Sequence, residues 1–420
     1  MIANYFYIMS DRVLRLVCGL LANIMLVTYL APAELGTWNY VLSLATIAGA
    51  ISIFSGLDAV VIRDLAQANP LERTRIMGSV GYLRLLAGTV AAVGSMSFVA
   101  IYDWRLIHLI IIIVLSYFTQ VFHTLDYFFQ SQLVPKYSAL VLNITTAIGF
   151  AIKVGLMYFG KLNLELLCWI LVLESFLVGV GYTVLVGWRF PDVAPYRWSV
   201  NKPLVRRYAG DGLVLLGSGL VSVFIARVSI FQIDAAFDRA SVAVFGLFSL
   251  VFESVLLVNY SLVNTFFPRI IVQYIRPAAY AKALHELVRR QAVLWISLVS
   301  SIAVMVYFGN GLFINYLNPV YQQSLRMIIL GLPVSALFII NFNLLQFLII
   351  PSGNQRHQLA RALLGLTVMV SCNSVLFTIG SVTTVIGSLA MSQFAMLAFT
   401  IYIFHKKILV LWRERVGEKV

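Results

Sequence analysis

The chain alternates between long apolar runs and short polar breaks over its whole length. Twelve runs can be counted, at roughly 13–31, 37–58, 82–102, 106–128, 138–159, 166–187, 209–232, 241–267, 291–309, 324–350, 362–380 and 384–404. An apolar run of about 18 residues or more crosses ~30 Å of hydrocarbon as a helix. The pattern therefore predicts an all-α integral membrane protein with about 12 transmembrane helices. The first pair shows the design most clearly. Residues 11–67 form two apolar runs joined by a tight turn with Pro32 and Gly36, and charges sit only at the ends. Asp11, Arg12 and Arg15 enter the first run, Glu34 marks the turn, and Asp58, Arg63 and Asp64 leave the second. A cation at the centre of a spanning helix costs ~2.5–3.5 kcal/mol. Arg12 and Arg15 lie in the first turns, so two readings stay open: snorkelling to the interface, or facing a wet cavity.

The breaks alternate in charge. One set carries Arg63, Arg73 and Arg75, then Lys136, then Arg189 to Arg207, then Arg269 to Arg290, then Arg356 and Arg361, and finally the basic tail from Lys406. The other set carries only Arg105, Lys161 and Arg239. The positive-inside rule makes the first set cytoplasmic, so both termini lie inside and the number of crossings is even. The outer breaks are short, which leaves little room for the loops that a membrane enzyme acting on lipid-linked sugars would need. Two inner breaks are long and basic, 188–208 and 268–290, and the second part of the latter predicts a short amphipathic helix on the membrane surface. The N-terminus lacks a basic region, short core and A-x-A site, so the first helix is expected to be retained as a signal anchor.

Composition sharpens this picture. The chain is 61% hydrophobic and 11% charged, with mean hydropathy +0.92, whereas soluble domains are about half apolar and a quarter charged. The net charge of +13 serves topology and contact with anionic headgroups rather than nucleic acid. Cys18, Cys168 and Cys372 all fall inside apolar runs without ligand-like spacing, so neither a disulfide framework nor a metal site is expected. No G-x-x-x-x-G-K-[ST] loop occurs, which argues against ATP hydrolysis, and nothing reads as a nucleophile with its base. The chain is expected not to be an enzyme and to need no cofactor.

Charges inside the runs are the functional candidates. Lys153 and Glu174 lie at similar depth on consecutive antiparallel runs, which predicts an ion pair. That pair either fixes the two helices or tunes a cation facing an anionic substrate. Arg227 and Glu253 occupy the seventh and eighth runs. Asp58, Asp126 and Asp211 sit near inner ends, where pairing with nearby cations is the simpler reading. Asn143, Asn259, Asn264, Asn341, Asn343, Asn373, Gln120 and Gln346 are amides within runs that either join helices or touch sugar hydroxyls. His108 and His123 are intramembrane. Gly36-Thr37-Trp38 and Gly246-Leu247-Phe248 lie 210 residues apart, half the chain, at corresponding places. That spacing predicts a parallel repeat of two six-helix halves.

Several of these segments together resemble the Wzx-type polysaccharide flippases of the MOP superfamily. The resemblance rests on Tyr29-Leu30-Ala31-Pro32-Ala33-Glu34-Leu35-Gly36 at the first turn, Trp38-Asn39-Tyr40-Val41-Leu42-Ser43-Leu44 after it, and Gly56-Leu57-Asp58 through Arg63-Asp64-Leu65-Ala66 at the exit. It extends to YFFQSQ at 127–132, PKYS at 135–138, Lys153, and Pro268-Arg269-Ile270. Ala31 stands where the family usually has Gly, and Ser229 where it usually has an Asp two residues after the basic Arg227, a change expected to leave Arg227 less neutralised. The resemblance implies a MATE-like fold of two six-helix lobes around a central cavity, divided as 1–200 and 201–420. It implies a flippase that carries undecaprenyl-pyrophosphate-linked oligosaccharide, for O-antigen or a similar polymer, across the bacterial inner membrane. Arg15, Lys153 and Arg227 would be its cavity cations, with Glu174, Glu253 and Asp58 as ion-pair or coupling candidates. H+ or Na+ coupling is compatible with it. Its partners would be membrane lipids, a polysaccharide polymerase and a chain-length regulator. The alternatives are a cation-coupled multidrug exporter of the same superfamily, or a membrane-embedded polymerase or glycosyltransferase.

Overall fold

A computed structural model describes residues 2–416 apart from 55–56, 272, 274–276, 317–318, 350 and 352–354. Every element in it is helical. Among the described residues, ten helices are long and apolar enough to cross a membrane, and Leu14–Tyr29 is a shorter apolar helix. The chain divides into two compact units. The first comprises Met1–Leu30 and Trp38–Val223, the second Ala31–Thr37 and Phe224–Val420.

The first unit is built from α1 (Ile2–Tyr29), most of α2 (Pro32–Ser52), α3 (Asp58–Gln67), α4 (Pro70–Tyr102), α5 (Ile107–Thr119), α6 (Thr124–Ser131), α7 (Pro135–Tyr158), α8 (Leu164–Arg189) and the start of α9 (Lys202–Ala236). Local chemistry sets the helix starts. Asn69 and Glu72 form a reciprocal capping box ahead of α4, with Pro70 in its first turn. Pro135 opens α7, and the Asn163 side chain caps α8 by accepting from the Leu166 N–H at 2.8 Å. Gly160, at φ +66°, turns the chain between α7 and α8.

The fourth apolar run is one span made of two α-helices with a 3-10 stretch, Gln120–His123, between them. The hydroxyls of Ser116, Thr119 and Thr124 each donate to the carbonyl three residues earlier. Such back-bonding competes with the helix ladder and tightens it locally. Arg84 of α4 then donates to the Gln120 carbonyl at 3.1 Å and to the Tyr127 hydroxyl at 2.6 Å.

The break 188–201 lies along the first turns of α4. Asn201 N–H donates to the Ser79 hydroxyl at 3.0 Å. A Cβ at Gly78 would meet the Ser199 carbonyl oxygen at 2.5 Å, so only glycine lets the two backbones approach this closely. At the same end, Asp64 is held by Arg63 at 3.0 Å, Arg207 at 3.2 Å and Tyr208 at 3.0 Å.

The second unit contains the rest of α9, α10 (Arg239–Ile271), α11 (Pro277–Tyr316), α12 (Gln322–Leu344), α13 (Gln355–Ile379) and α14 (Val385–Val416). Three helix pairings correspond between the two units. In the first, α4 pairs with α5, α5 with α8, and α7 with α8. In the second, α11 pairs with α12, α12 with α14, and α13 with α14.

One expectation is corrected here. The segment after residue 276 is not a separate surface helix. It forms the first turns of α11, a single helix of 40 residues. After Pro277 no proline interrupts this stretch. Glu286 also bridges Arg289 and Arg290 at i+3 and i+4, both at 2.9 Å, supporting continuous helix. In α12, Pro333 lies inside the helix, and a π-helical stretch, Leu345–Ile349, follows its end. The Tyr280 hydroxyl of α11 donates to the Phe347 carbonyl there.

Candidate functional site

Three helices of the first unit line one cavity of about 290 Å³. On α1 the lining residues are Arg15, Cys18/Gly19, Ala22 and Leu26; on α7 they are Thr146, Phe150 and Lys153; on α8 they are Leu167, Leu171 and Glu174. Spacings of three, four and seven place each set on one helical face. Asn23 of α1, with Trp38 and Leu42 of α2, complete the wall. Arg15 is among the residues that line this cavity.

Lys153 Nζ donates to Glu174 Oε1 at 2.8 Å, the ion pair that similar depth predicts. The lysine side chain is 20% exposed and the glutamate 31%. The carboxylate lies flat on the α7 backbone at Gly149, where an added Cβ would come within 1.9 Å of Oε1. Gly149→Ala is therefore expected to push the carboxylate off Lys153 at a cost of no more than about 1 kcal/mol, the scale of a partly exposed ion pair, because the displaced atoms are the end of a flexible side chain. Thermal unfolding of the purified variant measures this, and an unchanged midpoint would show that Glu174 adjusts freely.

In the second unit Arg227 and Glu253 pair through both nitrogens, Nη1–Oε1 at 3.0 Å and Nη2–Oε2 at 3.1 Å. This corrects the expectation that Ser229 leaves Arg227 less neutralised. Glu253, from the next helix, supplies the carboxylate that position 229 lacks. Ser229 is fully buried and accepts instead from the Asn373 amide at 3.0 Å, which also donates to Gln232 at 2.8 Å. Asp234 pairs with Arg239 at 2.8 Å at the α9–α10 turn.

Asp58 is not among the cavity residues. It opens α3, exposed in its first turn, where a carboxylate complements the helix dipole. Asp126 accepts from Gln130 on its own helix at 2.9 Å. His108 is exposed, and His123 packs edge-on to Tyr182 with ring centroids 6.0 Å apart. The side chains of Asp11, Arg12, Asp211, Asn264, Pro268 and Arg269 lie outside the described residues.

Two buried guanidiniums were not singled out by sequence reasoning. Arg84, 3% exposed, also stacks over Tyr127, 4.7 Å from the ring centre. Its position three residues into an apolar run is the same signal that selects Lys153. Arg361, read as a loop cation, is 6% exposed. Its Nη2 donates to both the carbonyl and Oδ1 of Asn341, each at 2.9 Å. The Asn341 amide donates onward to the Gln393 carbonyl and Oε1, each at 2.9 Å. Asn343 donates to Gln291 at 2.7 Å. Asn341, Asn343 and Asn373 thus join helices of the second unit.

No protein-family model matches the sequence, and no curated protein matches it. Solved structures do. A multidrug resistance MATE-family transporter of the MOP superfamily, in its inward-facing conformation, superposes with TM-score 0.77 at 11% identity, covering 97% of this chain and 99% of that one. A MATE protein in complex with MaL6 gives TM-score 0.67 at 12% identity, covering 98% and 97%. A MOP-superfamily transporter from Pyrococcus furiosus, reported to have a binding pocket of reversed polarity, gives 0.59 at 12% identity, covering 97% and 94%. Over nearly the whole length of each chain, this protein has the MATE-like fold of MOP-superfamily transporters.

Proposed function

We propose that the protein is a transporter that carries an anionic, lipid-linked oligosaccharide across the bacterial inner membrane, with both termini cytoplasmic. The observation that carries this reading is the first-unit cavity, where Arg15 and Lys153 face one void together with Glu174. A sugar–diphosphate headgroup cannot shed its hydration into hydrocarbon, and cations lining a cavity replace that hydration at short range. Trp38, Phe150, Asn23 and Thr146 in the same wall offer an aromatic face and neutral hydrogen-bonding groups suited to a sugar. The resemblance to polysaccharide flippases names undecaprenyl-pyrophosphate-linked repeat units as the substrate class. The long polyprenyl tail would remain in the bilayer throughout.

A multidrug exporter is the second reading. It is favoured by the multidrug MATE transporters among the structural relatives and by the intramembrane carboxylates Glu174 and Glu253, which would suit cationic drugs.

One experiment separates the two. Purified protein in proteoliposomes is given a labelled undecaprenyl-pyrophosphate oligosaccharide, and its exposure on the opposite leaflet is followed with and without a pH or Na+ gradient. Protein-dependent exposure is the expected result, and the gradient dependence identifies the coupling ion. No exposure, together with efflux of a cationic dye, would replace this reading with the exporter. In the same assay Arg227→Ala is expected to lower transport at least about fivefold, within the scale of a lost charge-assisted contact, with unchanged membrane abundance. Wild-type transport by that variant would remove Arg227 from the candidate cations.

A further inference from the structure

Resting on the anionic-substrate reading, we propose that the Glu174 carboxylate occupies the place on Lys153 that the substrate's phosphate must take. Binding is then an exchange of one anion for another, with Glu174 as the resident competitor.

The geometry gives Lys153 and Glu174 different standings. Lys153 is the more deeply seated partner at 20% exposure, and Glu174 the more exposed at 31%. The second unit repeats that order, with Arg227 at 24% and Glu253 at 43%. In both pairs the cation is the less exposed partner.

The surroundings allow Glu174 to leave. Its Oε1 rests on Gly149, which offers no side chain to retain it. Among the described residues, Lys153 is the donor that holds its carboxylate. Glu174 also lines the cavity directly, so it can swing into open space without repacking the core. The displaced carboxylate would remain in the cavity, which Arg15 of α1 also lines.

A diphosphate offers more acceptor oxygens and more charge than a carboxylate, so it displaces Glu174, whereas a neutral glycan does not. Glu174 then acts as a specificity residue. It keeps Lys153 neutralised in the empty protein and raises the threshold against weaker anions.

The test is calorimetric titration of inorganic pyrophosphate into full-length protein in nanodiscs, using wild type, Glu174→Gln, Glu174→Asp and Lys153→Met. Glu174→Gln keeps the shape and removes the charge. It is expected to bind pyrophosphate at least about threefold more tightly than wild type, the scale of a partly exposed ion pair. Glu174→Asp, with a shorter reach, is expected to fall between them. Lys153→Met is expected to lose the site, alone and combined with Glu174→Gln. Thermal unfolding of the same samples accompanies each titration.

Equal or weaker binding by folded Glu174→Gln would overturn the proposal and make Glu174 a group that positions Lys153, leaving the anionic-substrate reading standing. Failure of every protein to bind pyrophosphate would overturn both together. Binding by Glu174→Gln where wild type shows none would be the strongest support.

Discussion

Reversing the charge at position 153 is expected to stop transport and to destabilise the first unit. Lys153→Glu would place a second carboxylate where Lys153 Nζ now sits 2.8 Å from Glu174 Oε1. Two like charges repel by about 4 kcal/mol at ~4 Å and an effective dielectric near 20, and by more at shorter range. The loss is read as a lower unfolding midpoint in detergent. Adding Glu174→Lys restores an opposite pair across the same two helices. Stability is expected to return to within about 1 kcal/mol of wild type, because coupling between contacting residues is what a double-mutant cycle isolates. Transport in the flipping assay is expected to stay below about a tenth of wild type, a loss of ~1.4 kcal/mol or more in transition-state terms. In the swapped protein the cation stands at the more exposed position and the deeper one holds a carboxylate. Recovery of both properties would show that the pair only joins α7 to α8.

Arg361→Met is expected to destabilise the second unit by about 1–3 kcal/mol, the cost of one buried acceptor, Asn341 Oδ1, left without its donor, while the Asn341 carbonyl keeps the Leu345 N–H. Two oxygens of Asn341 lose their guanidinium donor, and Asn341 is the residue that holds Gln393 of α14. The three side chains tie α13, α12 and α14 together just before the π-helical stretch at Leu345–Ile349. A buried charge replaced by an apolar group of similar length is sometimes neutral; here the polar partners remain behind, which sets the sign. Arg361→Lys is expected to recover less than half of the loss, because an ammonium on a flexible stem lacks the rigid planar fork. Thermal unfolding of the purified proteins measures both. A midpoint for Arg361→Met equal to wild type would show that Asn341 finds another donor.

Much of the architecture was legible because the bilayer makes strong demands. A spanning segment must be long, apolar and helical, so apolar runs mark the helices, and cation-rich breaks give an expected sidedness. The ion pair of Lys153 and Glu174 was legible for a similar reason. A charge inside such a run is costly and needs a partner, and antiparallel neighbours at similar depth provide one. The same rule applies to Arg84, whose run begins only two residues earlier. Arg361 is less legible, because it stands where an apolar run meets a basic break and its burial depends on the fold of α12 and α14 around it.

Along the chain Glu253 stands among the ion-pair candidates, but its pairing with Arg227 stays open. Glu253 is 26 residues away, and only the rotation of α9 and α10 about their axes decides whether two side chains meet. Ser229 illustrates the same limit. Its hydroxyl reads as a missing carboxylate along the chain, yet in the fold it serves Asn373, 144 residues on.

By itself, then, the sequence determined what hydrocarbon imposes on each segment separately: which stretches span, how deep each charge lies, and where helices begin. Helix rotation, the 3-10 and π-helical breaks, the flat seat of Glu174 on Gly149 and the gathering of Arg15, Lys153 and Glu174 around one cavity came only with tertiary structure. The physical reason is that periodicity fixes which residues share a helical face, while the packing of neighbouring helices decides what that face meets.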